Sequence, residues 1–261
     1  MGSASAASFP IGFTRDTFEH GGVTRDIYRA PNTGPAVILI HEAGGLDAST
    51  VRIADRIARA GLTPVLPVLV DKPRLSKPRG QVARNIIGLC TAREFLAFAR
   101  YERTPIVDWL RGLAVREHEL AGGPGVGVVG MCFSGGFAVA MVTEPTVVAV
   151  VSGEPALPWA LPGRRESMPM SIAELDAVSA RADAGFCVRI LRYQRDFKSP
   201  GARMRFLTEM LPNASVVELP TWNVNRHSVL ADATLAEPTS ELGRALTGTI
   251  NYLVDRLRPA S

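Results

Sequence analysis

Val126-Gly127-Val128-Val129-Gly130-Met131-Cys132-Phe133-Ser134-Gly135-Gly136 is where an apolar run gives way to a glycine-rich turn. That is the strand–turn–helix context of a nucleophile elbow, in which a strained turn lifts a nucleophile above a sheet. Such a turn needs small residues two places to either side, and around Cys132 these are Gly130 and Ser134. A second register centres the elbow on Ser134, with Cys132 and Gly136 as its small neighbours. It puts the turn two residues later, beyond the natural end of Val126–Val129, so the context favours Cys132. A buried structural cysteine in a βα turn is the third reading. A phosphate cradle is disfavoured, because neither GxGxxG nor a Lys-Ser/Thr pair follows.

A helix start at Cys132 favours the thiolate, the nucleophilic form of cysteine. The thiolate needs a base and an orienting acid, in the chain order nucleophile, acid, histidine. Of the four histidines (His20, His41, His118 and His227), only His227 follows the elbow. It lies in a loop, Thr221–Ser228, between the last expected strand and the last expected helix. The acid belongs after the penultimate strand, where Gln194–Pro200 offers Asp196. Asp176 and Asp183 fall on or at the end of an expected helix and fit less well. His227 as a surface histidine and Asp196 as an exposed partner of Arg195 are the plain alternatives.

The elements that position these residues alternate. Phe13–Phe18 and Val23–Tyr28 flank His20-Gly21-Gly22 and read as an antiparallel hairpin. Ala36–Ile40 is wholly apolar, as a buried strand is. Apolar residues at helical spacing fill Ala48–Ala60 up to Gly61, and Thr63–Val70 reads as a strand. Thr104 as cap and Pro105 at the first position open a helix to about Leu120. Then follow strand Val126–Val129, helix Phe133–Val142, strand Val147–Ser152 and a helix from the capping box Ser171–Glu174 to about Ala182. Phe186–Tyr193 and Ser215–Leu219 read as strands, Pro200–Leu211 and Pro238–Leu257 as helices. Strands separated by helices imply an α/β fold, a mostly parallel sheet covered on both faces.

The chain has 261 residues, 46% hydrophobic and 21% charged, which excludes disorder and suits one domain, 1–261. Residues 1–10 are expected to be flexible. Pro155–Met170 is the longest irregular stretch, either a lid over a site or a surface excursion. The net charge of +4 is dispersed, as in Arg100-Tyr101-Glu102-Arg103, and aromatics are 7%, so no nucleic-acid partner is expected. No apolar run is long enough to span a bilayer, and Met1–Ala7 lacks the features of a secretory signal. Cys90, Cys132 and Cys187 show no CxxC spacing, which fits a reducing cytoplasm rather than a disulfide framework. No metal or organic cofactor is expected, since His41-Glu42 alone makes no ligand set.

From Ala36 onward the chain resembles the dienelactone hydrolase family of the α/β-hydrolase superfamily. The resemblance rests on Ile38-Leu39-Ile40-His41-Glu42-Ala43-Gly44-Gly45, Ile53–Gly61, Gly130-Met131-Cys132, Asp196 with Ser199-Pro200, and His227-Ser228. It implies an α/β-hydrolase fold and a Cys132–His227–Asp196 triad acting on a small-molecule ester or lactone. It further implies that Glu42 contacts the resting thiol and controls its ionisation. The oxyanion hole it implies is made by the backbone N–H groups of Ala43 and Phe133. Two positions depart from the family pattern. Ser134 stands where glycine is usual, and Ala231 where an arginine grips a substrate carboxylate. Arg74, Arg79, Arg84 and Arg226 are candidate replacements, and a neutral ester or lactone suits the sequence at least as well as an anionic dienelactone. A ligand-binding protein and a redox-responsive thiol protein are the other readings of the same scaffold.

Overall fold

Every side chain of Ala36–Ile40 is buried, with Val37 and Leu39 facing one apolar layer and Ile38 and Ile40 the other. A strand apolar on both faces must have helices on both sides of its sheet, and that is the arrangement found. The computed structural model describes residues 10–70, 73–75, 104–156 and 168–258. Apart from Pro10, the amino-terminal expectation lies outside them, as does most of the expected lid segment.

The strands are β1 (Thr14–His20), β2 (Val23–Arg29), β3 (Ala36–Ile40), β4 (Thr63–Pro67), β5 (Val126–Met131), β6 (Val147–Gly153), β7 (Val188–Tyr193) and β8 (Ser215–Leu219). They form one eight-stranded sheet in the order β1-β2-β4-β3-β5-β6-β7-β8. The pairs β1–β2 and β2–β4 are antiparallel and the remainder parallel. Gly21 and Gly22 connect β1 to β2 at φ 61° and 77°, the positive values a two-residue hairpin loop demands.

The helices are α1 (Ala48–Arg59), α2 (Pro105–Ala121), α3 (Phe133–Ala140), α4 (Ile172–Asp183), α5 (Gly201–Met210), α6 (Val229–Ala233) and α7 (Glu241–Leu257). Residues of α2, α3, α4 and α5 share one core with one sheet face, and residues of α1, α6 and α7 share the other. The Ser171–Glu174 capping box forms in full. Pro105 takes the first position of α2 as expected, but Thr104 makes no side-chain cap. Its extended backbone places it as the cap residue, while its buried hydroxyl finds no partner among the described residues. β4 stops at Pro67, shorter than Thr63–Val70, although Val68 N–H still donates to Asp26 O of β2 at 2.9 Å. The last helix starts at Glu241, where Ser240 Oγ accepts the Gly243 amide at 3.0 Å.

Candidate active site

The site gathers at the carboxyl ends of the central strands, where open α/β sheets bind ligands. β3 and β5 are neighbours, with Ile40 opposite Gly130, so the segments after their ends lie side by side. Glu42 and Ala43 leave the end of β3, and Cys132 and Phe133 leave the end of β5.

Cys132 takes φ 59° and ψ −124° between β5 and α3, outside the regions a non-glycine residue favours. It is one of two described non-glycine residues with positive φ, and such strain costs roughly 1–3 kcal/mol. The turn is held from several sides. Cys132 N–H donates to Gly153 O at 3.0 Å, and Cys132 O accepts from Gly135 N at 3.1 Å and Ala156 N at 3.0 Å. A Cβ on Gly130 would stand 2.2 Å from Ser134 O and 2.9 Å from Ala138 Cβ, so the crossing admits only glycine there.

His227 and Asp196 meet across two loops. His227 Nδ1 donates to Asp196 Oδ2 at 2.5 Å, with both side chains buried. The other Asp196 oxygen accepts the Lys198 amide at 2.9 Å, which orients the carboxylate toward the ring. Beside it, buried Arg192 donates from Nε to Tyr193 O at 2.9 Å and from Nη2 to Gln194 O, steadying the chain that leads to Asp196. Burial works against a charge on His227. The Cys132 sulfur, the Asp196 hydrogen bond and Glu154 outweigh it and carry the imidazole up to about 11. His227 Nε2 makes no hydrogen bond of full geometry among the described residues, although the sulfur is near enough to be the strongest charge favouring the imidazolium.

Residues 26–173 match the model of the dienelactone hydrolase family. The chain belongs to that family. Among solved structures, the dienelactone hydrolase of Anabaena variabilis ATCC 29413 is 17% identical, with TM-score 0.61 over 94% of this chain and 98% of that one. A dienelactone hydrolase-like promiscuous phosphotriesterase from metagenomic libraries is 16% identical, with TM-score 0.61 over 94% and 98%. A cold-adapted esterase from an Arctic intertidal metagenomic library is 14% identical, with TM-score 0.63 over 99% and 100%. No curated protein gives a significant match. The shared architecture is the α/β-hydrolase fold, and family membership supports a hydrolytic enzyme.

Within this dienelactone hydrolase family scaffold, the two departures acquire physical meaning. Ser134 is fully buried in the first turn of α3, and its hydroxyl accepts the Met131 amide at 2.8 Å. Its single proton has the carbonyls of Met131 (2.9 Å), Ile40 (3.1 Å) and His41 (3.2 Å) within reach. That hydroxyl is occupied in tying the elbow to the end of β3, which argues against the register centred on Ser134. Ala231 lies in the short α6. Arg226 Nε binds Asp232 at 2.9 Å, where Tyr193 also donates its hydroxyl at 2.7 Å, so Arg226 braces the His227 loop. Arg79 and Arg84 lie outside the described residues; Arg74 N–H donates to Leu46 O at 3.1 Å.

His41 is structural. Its Nε2 accepts the Leu69 amide at 3.1 Å, which leaves Nδ1–H to donate to Glu42 O at 2.7 Å. Cys187 precedes β7 at the amino end of the parallel sheet, whereas Cys132 follows β5 at the carboxyl end. The length of a strand therefore separates the two thiols, and Cys90 lies outside the described residues. One residue of the site is absent from the sequence reading. Glu154, directly after β6, is fully buried at φ 36°, and its charge environment includes Glu42, His227 and Cys132. A carboxylate closing an apolar strand just before Pro155 was the only signal for it.

Proposed function

We propose that the protein hydrolyses a small neutral ester or lactone in the cytoplasm, through Cys132, His227 and Asp196. The observation that carries this reading is the 2.5 Å contact of His227 Nδ1 with buried Asp196, beside a cysteine held at φ 59° at the head of α3. The contact of His227 with Asp196, with the Cys132 sulfur acting on the ring, supports the order and roles that acyl transfer requires.

In this mechanism the Cys132 sulfur attacks the carbonyl carbon, and the carbonyl oxygen takes up the electron pair. The Ala43 and Phe133 amides hold that oxyanion. Phe133 begins α3, so its N–H belongs to the first turn, at the amino end of the helix. Losing one such donor costs about 10²–10³ in rate in comparable enzymes. The tetrahedral intermediate collapses as the C–O bond breaks, and His227 gives its Nε2 proton to the leaving alcohol. Water then attacks the thioester while His227 takes its proton, and the acid leaves as Cys132 is released. Asp196 accepts the hydrogen bond from Nδ1–H and holds the ring in that tautomer. Glu42 governs the charge of the resting thiol. The arginine that grips a carboxylate in the family is replaced by Ala231, and Arg226 is engaged with Asp232, which favours a neutral substrate.

The test is hydrolysis of a short-chain aryl ester and a panel of simple lactones by wild-type and Cys132→Ala protein. Turnover lost in the variant, with unchanged circular dichroism, supports the cysteine hydrolase. Turnover that survives moves the nucleophile elsewhere.

A further inference from the structure

The segment that ends β6 clamps the nucleophile elbow from two sides. Gly153 O accepts the Cys132 amide at 3.0 Å, and Ala156 N–H donates to Cys132 O at 3.0 Å. Glu154 sits between those two clamps, fully buried, with its backbone at φ 36°. Strain of that kind at a non-glycine residue persists only where the surroundings impose it. Its own N–H donates to Leu191 O at 2.6 Å, in the strand β7 that leads to Asp196. Its side chain reaches the remaining segment of the site, where Oε2 accepts the Val229 amide at 3.1 Å, two residues beyond His227. Val229 is the first residue of α6, and the first N–H groups of a helix have no acceptor within it. Ser228, in the cap position, makes no side-chain cap, so the acceptor comes from Glu154 on a different strand. Farther along α6, Asp232 accepts the Tyr193 hydroxyl at 2.7 Å, which ties the helix to β7.

Resting on the cysteine–histidine reading, we propose that Glu154 is a positioning residue, which sets His227 against Cys132 by holding the Val229 amide from the segment that clamps the elbow. The contact of His227 with Asp196 fixes the ring to the acid, and the Tyr193–Asp232 bond fixes α6 to the strand that carries that acid. Neither bond includes the elbow. The Val229 bond does, because Glu154 lies in the same short stretch as the two groups that grip Cys132. Catalysis is sensitive to such placement, since a misplacement of about 1 Å can cost about 10²-fold in rate. What the position requires is an oxygen that accepts the Val229 N–H. An amide oxygen in the same place meets that requirement, and an apolar side chain of the same length does not.

The experiment uses the full chain as wild type, Cys132→Ala, Glu154→Gln, Glu154→Met, Val229→Pro and the Glu154→Met, Val229→Pro double variant. Proline is suited to the first position of a helix, so Val229→Pro removes the donor as Glu154→Met removes the acceptor. Aryl-ester kcat and KM are measured for each. Glu154→Met should lower kcat about tenfold or more, with KM within about twofold of wild type, and Glu154→Gln should recover most of that loss. The double variant should be no slower than the slower single, because both changes break one bond. If Glu154→Met fails to fold, Val229→Pro should show the loss of kcat that Glu154→Gln does not. Glutamine and methionine variants that are equally slow, losses that multiply in the double variant, or a folded Val229→Pro with wild-type kcat each overturn the proposal. Turnover abolished in Cys132→Ala but unchanged in Glu154→Met overturns the anchoring role alone, whereas turnover that survives in Cys132→Ala overturns the cysteine–histidine reading and this role with it.

Discussion

Ser134 Oγ accepts the backbone N–H of Met131 at 2.8 Å, bridging the first turn of the helix after the elbow to the strand before it. The bond is fully buried, and the carbonyls of Ile40 and His41 stand within reach of the same hydroxyl. Ser134→Ala leaves the Met131 amide buried without an acceptor, which costs about 1–3 kcal/mol. The expected result is a thermal midpoint lowered by about 2–4 °C for each kcal/mol, with ester turnover reduced but measurable. Thermal melts and initial rates check both parts. Turnover lost in Ser134→Ala but kept in Cys132→Ala would make Ser134 the nucleophile.

Gly130 meets a harder limit. The side chain nearest its missing Cβ belongs to Ala138, but the 2.2 Å contact is with the backbone oxygen of Ser134, which no rotamer change can relieve. Gly130→Ala must push the start of α3 away from β5, and overpacking of this kind costs about 1–3 kcal/mol. Denaturant unfolding should show that loss. The rate per folded molecule should also fall, because the displaced turn carries both Cys132 and the Phe133 amide. An alanine variant with wild-type stability and rate would mean that the elbow is not strained as described.

The strands and helices were readable from apolar periodicity because each is local: Ala36–Ile40 announces burial on both faces without reference to any other strand. Chain order alone singled out His227 and Asp196, and the structure brings them into contact. The roles of Ser134 and Glu154 were not readable, since both depend on which strands lie side by side. Ser134 reaches Ile40 only because β3 and β5 pair, and Glu154 meets the His227 loop only because β6 ends beside it. The short α6, Val229–Ala233, was also missed, as five residues carry too little periodicity to stand out from the loop before them. At Thr104 a residue suited to capping makes no side-chain cap, since its hydroxyl is buried instead.

The raised His227 proton affinity gives a spectroscopic prediction. Its largest supporting cause is the Cys132 sulfur, so imidazole nitrogen shifts in wild-type protein should report a charged ring through neutral pH, with titration at about 11. Cys132→Ala removes that charge while burial still disfavours the cation, so the midpoint should fall markedly. The sign for stability follows. A proton affinity raised on folding stabilises fully below the unfolded value, about 6.5, and the contribution is lost as pH rises through about 11. Cys132→Ala should therefore flatten the alkaline limb of the unfolding free energy. Identical His227 titrations in the two proteins would separate the ring from the sulfur.

Asp196→Asn tests the third member of the proposed triad with the least disturbance. The amide is nearly isosteric, and its oxygen can still accept the Lys198 N–H, so the loop should keep its course. What it cannot do is hold a proton on His227 Nδ1 with a negative charge at 2.5 Å. The ring is then free to take the tautomer that points an unprotonated Nδ1 at the amide, leaving Nε2–H unable to act as base toward water. In serine enzymes the same change costs about 10⁴ in kcat. Cysteine carries more of its own nucleophilicity, so a loss of about 10²–10³ in kcat is expected, with KM within a few-fold of wild type. Deacylation should suffer most, because in the proposed mechanism that step depends on His227 activating water. Burst kinetics on an aryl ester would show acyl-enzyme accumulating in the variant, and a variant with wild-type kcat and no burst would remove Asp196 from the mechanism.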